Sequence, residues 1–411
     1  MPFDRTLTVQ VVDDDPDMLD ILATFLREAG HRVLACTPSE AVVNAIIENP
    51  PDVVLTDLMM PAPDGLEILR RLKEEPSTRG TRVVIVSAKA YEFDRKRALD
   101  FGADGFITKP VDAETFLPTL ERIVTDKVDV TFHGVRGTLP RSGPKTNKYG
   151  GNTNCVALRF PKGEVFVFDA GSGIKALGDQ LMARGGKNII GRIFISHPHW
   201  DHINALPFFV PLYVQGNEFE VIGAAHGDKT MRQLISAQMD DIYFPITMKE
   251  FGARVYFRNV KEGQFEVDRI PVSAMMLSHP GYCLGYRVDY HGRRIAYVTD
   301  NELYPAGGPN HNEHFLNRLI DFIRGVDMLI TDTTYTDEEY KSKVHWGHSS
   351  VGEVVKLAHA AGVKQLCLFH HDPDQDDDAI DRKLALAQEQ LAALGGGVDI
   401  LAPAEGQTIQ V

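Results

Sequence analysis

Two periodicities divide the chain. From Thr6 to Ile123, short apolar runs alternate with stretches of helical spacing. LTVQVV (7–12), HRVLAC (31–36), DVVLTD (52–57), TRVVIVSA (81–88) and GFITKP (105–110) read as strands, and DMLDILATFLREAG, PSEAVVNAIIEN, GLEILRRLKEE and YEFDRKRALDFG read as the helices between them. Strand–helix alternation predicts a parallel sheet covered on both faces, a doubly wound α/β domain over 1–124. From Val128 the pattern shifts to many short strands with only occasional helices: VTFHGV, CVALRF, EVFVFDAG, RIFISH, FEVIGA, ARVYF, VSAMMLSH, CLGYRVDY, RRIAYVTD, DMLITD and KQLCLFHH. This second domain is expected over 125–411. The connection VTDKVD lacks the Gly, Ser and Pro of a flexible tether, so coupling through contact is expected rather than loose recruitment.

Composition narrows the class. The 411 residues are 43% hydrophobic and 24% charged, ordinary for globular domains, and no stretch is long enough to span a membrane. The N-terminus carries acid where a signal peptide needs a basic flank, so a cytoplasmic location is expected. Four cysteines, Cys36, Cys155, Cys283 and Cys367, are scattered without CxxC spacing, which fits a reducing compartment and argues against a thiolate zinc site. A net charge of −14 disfavours long nucleic acid and anionic membranes as partners.

Ligands of doubly wound sheets gather at the carboxyl ends of the strands. There the first domain places Asp13 and Asp14, then Asp57, Ser87 and Lys109. Converging carboxylates repel unless a cation sits among them, and oxygen ligands of this kind favour magnesium. VVDDD, DLMMPAPDG, VSA and FITKP resemble the motifs of a response-regulator receiver domain, whose fold is flavodoxin-like with five parallel strands. The resemblance implies that Asp57 is phosphorylated by a cognate sensor histidine kinase, and that Asp14, Asp57 and the Met59 carbonyl hold magnesium with support from Asp13. It further implies that Lys109 contacts the phosphoryl group, that Ser87 and Phe106 form the switch pair, and that phosphorylation promotes a homodimer. Ala62-Pro63 in the loop after Pro61 departs from the usual pattern without touching a chemical group.

In the second domain several strands end in His or Asp, which would line one rim with metal ligands. In ISHPHWDHINAL, His197 and His199 can aim two imidazoles at one ion, while Asp201 and His202 begin a helix and can reach a second. Later strand ends supply His279 for the first site, Asp300 as a bridge, and His370 or His371 for the second. Asp169 in VFDAG is suited to orienting the HPHWDH loop. Two zinc ions fit this donor set, as do manganese or iron.

The ordered set resembles the metallo-β-lactamase-fold superfamily, an αββα sandwich. FHGVRGTLP, YGGNTNC, VTDNE and GHSSVGEVVKLAHAAGVKQLCLFHH are similar to its branch of ribonuclease Z and phosphoribosyl cyclic-phosphate phosphodiesterases. That resemblance implies His348 in WGHSS as a catalytic assistant and His370 as the ligand of the doubled pair, leaving His371 beside it or facing substrate. The expected function is a two-component output protein: a binuclear phosphodiesterase acting on a cyclic nucleotide or similar small phosphodiester, under control of Asp57. Its metals would lower the pKa of bound water and clamp the phosphodiester oxygens, with Asp201 orienting the attacking water and His348 serving the leaving alkoxide. The basic, acid-free segment GVRGTLPRSGPKTNKYGGN is expected to offer Arg136, Arg141, Lys145 or Lys148 to a substrate phosphate, and the run DPDQDDD is expected to be solvated surface. The alternatives are a lactonase or thioesterase of the same fold, a non-hydrolytic di-iron oxygen or redox sensor, which His199 counts against, and a scaffold with a vestigial site.

Overall fold

The computed structural model describes residues 5–88, 92–183, 185–242 and 244–411. The Tyr91 start of the fourth receiver helix and the first residues of the N-terminus lie outside them. The chain separates into two compact units, one of residues 1–128 and 159–164, the other of 129–158 and 165–411.

The first unit holds five parallel strands, Thr8–Val12, Arg32–Cys36, Val53–Thr56, Arg82–Ser87 and Gly105–Thr108, in the spatial order second, first, third, fourth, fifth. The inner strands Val53–Thr56 and Arg82–Ser87 are largely apolar because both of their faces are buried, whereas the edge strand Arg32–Cys36 is largely exposed. One apolar cluster, with Leu22, Leu26, Phe116, Leu120 and Ile123, fills one face of the sheet. Another, with Val43, Ile46, Ile68, Leu69 and Leu72, fills the other. Helices start where side-chain caps dictate: Asp15, Ser39, Asp64 and Asp112 each accept a backbone N–H of the first turn. All five strand ends face one crevice because every strand points the same way.

The second unit contains two mixed seven-stranded sheets. Across the first run Arg254–Val260, Glu218–Ala224, Ile190–Ile195, Val165–Phe168, Cys155–Arg159, Asp129–Gly134 and Thr408–Gln410. Across the second run Gly263–Val267, Ile270–Met276, Leu284–Tyr290, Arg293–Val298, Met328–Asp332, Gln365–Phe369 and Asp399–Leu401. Strand alternation sends aromatic side chains inward: Phe168 and Phe194 of the first sheet meet Tyr286 and Tyr297 of the second at ring separations of 5.3–6.0 Å. The opposite faces carry aliphatic residues under helices, Ile174–Ala183 on one sheet and Glu313–Ile323, Val351–Ala361 and Asp377–Ala393 on the other. The layers are helix, sheet, sheet, helix. Gly263–Val267, Asp399–Leu401 and Thr408–Gln410 were not anticipated as strands, since they are short, mostly polar and gain their order from the neighbour they pair with.

Candidate functional site

The candidate metal ligands come from strand ends and the loops that follow them. His197 lies just past Ile190–Ile195, and the helix Trp200–Ile203 then presents Asp201 and His202. His279 follows Ile270–Met276, Asp300 follows Arg293–Val298, and His370 follows Gln365–Phe369. Donor atoms of His197, His199, His279 and Asp300 lie within 4.8 Å of one another, as do those of Asp201, His202, Asp300 and His370.

Asp300 belongs to both groups, one oxygen to each. Its Oδ2 is 3.6 Å from His197 Nε2 and 3.7 Å from His279 Nε2; its Oδ1 is 3.0 Å from His370 Nε2 and 3.3 Å from His202 Nε2. His199 points its Nδ1 inward, 2.8 Å from His197 Nε2 and 3.2 Å from His279 Nε2. The remaining nitrogens are engaged outside the pocket: His197 Nδ1 with Ser196 Oγ at 3.1 Å, His202 Nδ1 with Asp169 at 2.7 Å, His279 Nδ1 with the Gly347 carbonyl at 2.9 Å, and His370 Nδ1 with Thr334 Oγ1 at 3.0 Å. Such outer bonds fix each tautomer and turn a lone pair toward the shared point.

Electrostatics separate the two halves. Burial holds His197, His199 and His279 below the ordinary imidazole range, as neutral donors. Burial opposes charge on His202 and His370 too, but Asp201 and Asp300 outweigh it: His202 is raised well above its usual value and His370 is pushed up to about 10. Neutral imidazoles crowded together in one half, and carboxylates that favour protons on the imidazoles beside them in the other, are a donor set that fits two divalent cations.

The supporting shell is tight. Asp169, at a backbone φ of +60°, accepts from Ser196 N (2.7 Å), Ser196 Oγ (2.8 Å) and Tyr297 OH (2.8 Å), which anchors the loop carrying His197 and the ring of His202. His370 also sits in the left-handed region, at φ +59°. Two glycines are required by close approach. A Cβ on Gly137 would lie 2.0 Å from the His370 ring, and one on Gly347 would lie 2.5 Å from His279 Nδ1.

His348 is 9% exposed, with Nδ1 2.9 Å from Asp332 Oδ2 and its ring 4.9 Å from that of His370. Against the cost of burial, Asp332 and Asp300 raise its pKa. Asp332 was not singled out in the sequence, though DMLITD reads as a strand ending in acid. Its other oxygen takes Thr334 N and Oγ1 at 2.9 and 2.6 Å. Asn301 and Glu302, beside Asp300, were also missed. Asn301 Oδ1 accepts from Ser278 N, next to His279, and Glu302 accepts from His345 N and Gly347 N, on the approach to His348.

His371 is in none of the ligand groups. It is fully buried, with its backbone bonded to Val135 and Gly137 and its ring beside Tyr149. The basic segment also has another occupation. Arg136 is fully buried and donates to the carbonyls of Gly150, Asp372 and Gln375, and Arg141 donates to that of Pro373. Lys145 lies 3.8 Å from Asp376, and Lys148 pairs with Asp381. Of the four residues expected to meet a substrate phosphate, Arg136 and Arg141 are engaged by backbone carbonyls, while Lys145 and Lys148 stay exposed beside Asp376 and Asp381. Within DPDQDDD, Gln375 is buried and the carbonyls of Asp372, Pro373 and Gln375 accept from these arginines, while Asp374 and Asp378 are exposed.

In the receiver unit, Lys109 Nζ lies 2.8 Å from Asp13 Oδ2 and 2.7 Å from Asp57 Oδ2. Asp57 Oδ1 accepts from Met59 N at 3.2 Å, and Ser87 hydrogen-bonds the same carboxylate. Burial works against the Asp57 charge, yet Lys109, Ser87 and the Met59 amide together hold its pKa below the usual range. Asp13 and Asp57 are buried, whereas Asp14 and Met59 are exposed at the mouth. Phe106 is half-buried on Gly105–Thr108, paired with the strand that carries Ser87.

The family model for the beta-lactamase superfamily domain matches residues 165–371, half of the chain. The chain belongs to the beta-lactamase superfamily. The model for the response regulator receiver domain matches residues 9–121. PilH of Pseudomonas aeruginosa is 34% identical over 116 residues, 28% of this chain and 96% of PilH. GtcR of Aneurinibacillus migulanus, a response regulator, is 36% identical over 103 residues, 25% of this chain and 41% of GtcR. The match to the transcriptional regulatory protein PhoB of Pseudomonas aeruginosa spans 51% of that protein, so the chain covers about half or less of these two longer relatives. A crystal structure of unliganded yeast PDE1 shares the fold at 15% identity, with a TM-score of 0.52, covering 69% of this chain and 99% of that one. The chain is thus a receiver domain fused to a metallo-β-lactamase-fold hydrolase domain. The first implies a phosphodonor and the second divalent metal ions, for which the two ligand groups provide suitable donors. Among the described residues no helix is long and apolar enough to cross a membrane.

Proposed function

We propose that the hydrolase domain, residues 125–411, is a binuclear phosphodiesterase acting on a small phosphodiester, and that phosphorylation of Asp57 in the receiver, residues 1–124, controls it. The observation that carries this reading is Asp300 offering one oxygen to each ligand group, with the His348–Asp332 pair beside the second. His197, His199 and His279 would hold one ion, Asp201, His202 and His370 the other, and Asp300 both. Zinc suits this donor set best. Ions held there supply a lowered pKa for water and charge neutralisation on the phosphoryl oxygens.

The residues of the chain do the rest. Thr138 N donates to Asp201 Oδ2 at 2.8 Å, which fixes the carboxylate available to orient the attacking water. Asp332 keeps the His348 imidazolium protonated and holds Nδ1, which leaves Nε2 to give its proton to the leaving alkoxide. An Asp-supported imidazolium suits an alkoxide leaving group. That favours a phosphodiester over the thioester alternative, whose thiolate leaves without a proton.

For regulation, a sensor histidine kinase is the natural phosphodonor. Lys109 would meet the phosphoryl group on Asp57, magnesium would sit with Asp13, Asp14, Asp57 and the Met59 carbonyl, and Ser87 with Phe106 would relay the change, including to a homodimer.

The test is the leaving-group dependence of His348→Ala. Its rate on a diester with an alkyl leaving group should fall far more than its rate on bis(p-nitrophenyl) phosphate, whose leaving group needs no proton. Equal losses on both would remove His348 as the proton donor.

A further inference from the structure

The chain contains two tryptophans, Trp200 and Trp346. Tryptophan is highly buried on average, yet these are 82% and 57% exposed. Both adjoin, along the chain, residues that build the three-histidine half of the metal pocket. Trp200 lies between His199 and Asp201, and Trp346 precedes Gly347, whose carbonyl accepts the His279 Nδ1 hydrogen at 2.9 Å. The backbone under Trp346 is pinned, since the buried Glu302 carboxylate takes the flanking amides of His345 and Gly347 at 2.7 and 2.8 Å.

A cation accompanies them. Lys343 Nζ lies 3.9 Å from the centre of the Trp346 ring and 5.8 Å from that of Tyr335, whose ring is 6.1 Å from His348. Neighbouring Lys341 is paired with Glu338, whereas Lys343 has no carboxylate partner among the described residues. Through Tyr335, which neighbours both, Lys343 is a cation on the His348 side of the pocket that an anion can still pair with.

We propose that Trp346, Trp200 and Lys343 form a stacking and charge clamp, and that the substrate class is therefore a phosphodiester carrying a nucleobase and not a base-free sugar cyclic phosphate. This rests on the phosphodiesterase reading and narrows its substrate. Exposed indoles at a fixed loop offer a π face to any planar base, and the ammonium covering one face of Trp346 leaves the other open while sitting within reach of a phosphate. Stacking on one such ring changes affinity by roughly tenfold or more.

Because both indoles adjoin residues of the site, their fluorescence serves as the readout of occupancy. The full chain, loaded with metal, is titrated with adenosine 5′-monophosphate and with ribose 5-phosphate. The nucleotide should quench the emission and bind about tenfold or more tighter than the sugar phosphate. Trp346→Ala should remove most of that preference, Trp346→Phe should keep it, and Lys343→Ala should weaken both probes alike. Equal affinity for the two probes in the wild type overturns the proposal. So does a preference that survives in the Trp200→Ala/Trp346→Ala double variant, or a sedimentation change in that variant showing that the indoles are covered by a second copy of the chain. The two readings separate cleanly. A wild type that hydrolyses bis(p-nitrophenyl) phosphate without preferring the nucleotide loses the clamp alone, and one that prefers the nucleotide but hydrolyses no diester loses the phosphodiesterase alone.

Discussion

The receiver pocket and the metal pocket both gather carboxylates at strand ends, and they neutralise that charge in different ways. In the receiver an internal cation does it: Lys109 bridges Asp13 and Asp57, while Asp14 and Met59 stay exposed. In the hydrolase unit imidazoles surround Asp201 and Asp300, and among the described residues both carboxylates pair with histidines and with no Lys or Arg. A pocket that already holds its own ammonium needs an added cation only weakly and can exchange it, as a transient phosphoryl acceptor requires. A pocket of converging lone pairs is incomplete without its ions. The same contrast recurs inside the metal pocket, where the three-histidine half is neutral and the carboxylate half retains protons.

The strongest way to break this comparison is to remove the residue the two halves share. Asp300→Ala should lower diester turnover by on the order of 10³ or more and deplete both ions, while acetyl-phosphate labelling of Asp57 proceeds as in the wild type. Elemental analysis with a labelling assay checks both arms. A smaller effect is expected from Asp332→Asn, about 10–100-fold in turnover. Asp332 raises the His348 pKa, so the asparagine lowers it. The imidazolium is then lost at a lower pH, and the alkaline limb of the rate profile on an alkyl diester should move to lower pH.

The halves of the pocket can be told apart by protons. At neutral pH His202 and His370 bind protons in the metal-free protein, because their folded pKa values are raised, whereas the three-histidine group does not. Loading the carboxylate half should therefore release protons, with affinity rising as pH approaches about 10, and loading the other half should not. Calorimetry in buffers of different ionisation enthalpy reads this directly. The mildest perturbation is chelation. Brief EDTA should stop Asp57 labelling at once, since magnesium keeps several waters in so open a site, while diester hydrolysis decays slowly.

The strands and the ligands they end in were legible because burial imposes apolar runs and each ligand falls just beyond one: His197, His279, Asp300 and His370 all obey that rule. Asp332 obeys it too, but its role depends on His348 folding back onto it from sixteen residues away, which no local pattern reports. The segment holding Arg136 and Lys148 shows that local charge does not reveal what will pack against it. Here the partner lies more than two hundred residues downstream. Short polar strands such as Gly263–Val267 escaped because their order comes from pairing and not from their own periodicity.

The most direct test of the binuclear reading is metal content by elemental analysis, measured together with bis(p-nitrophenyl) phosphate turnover for wild type and His199→Ala. About two transition-metal ions per chain, with turnover lost in the variant, is the predicted result. Full turnover in metal-free protein, or iron bound with no turnover at all, would contradict it.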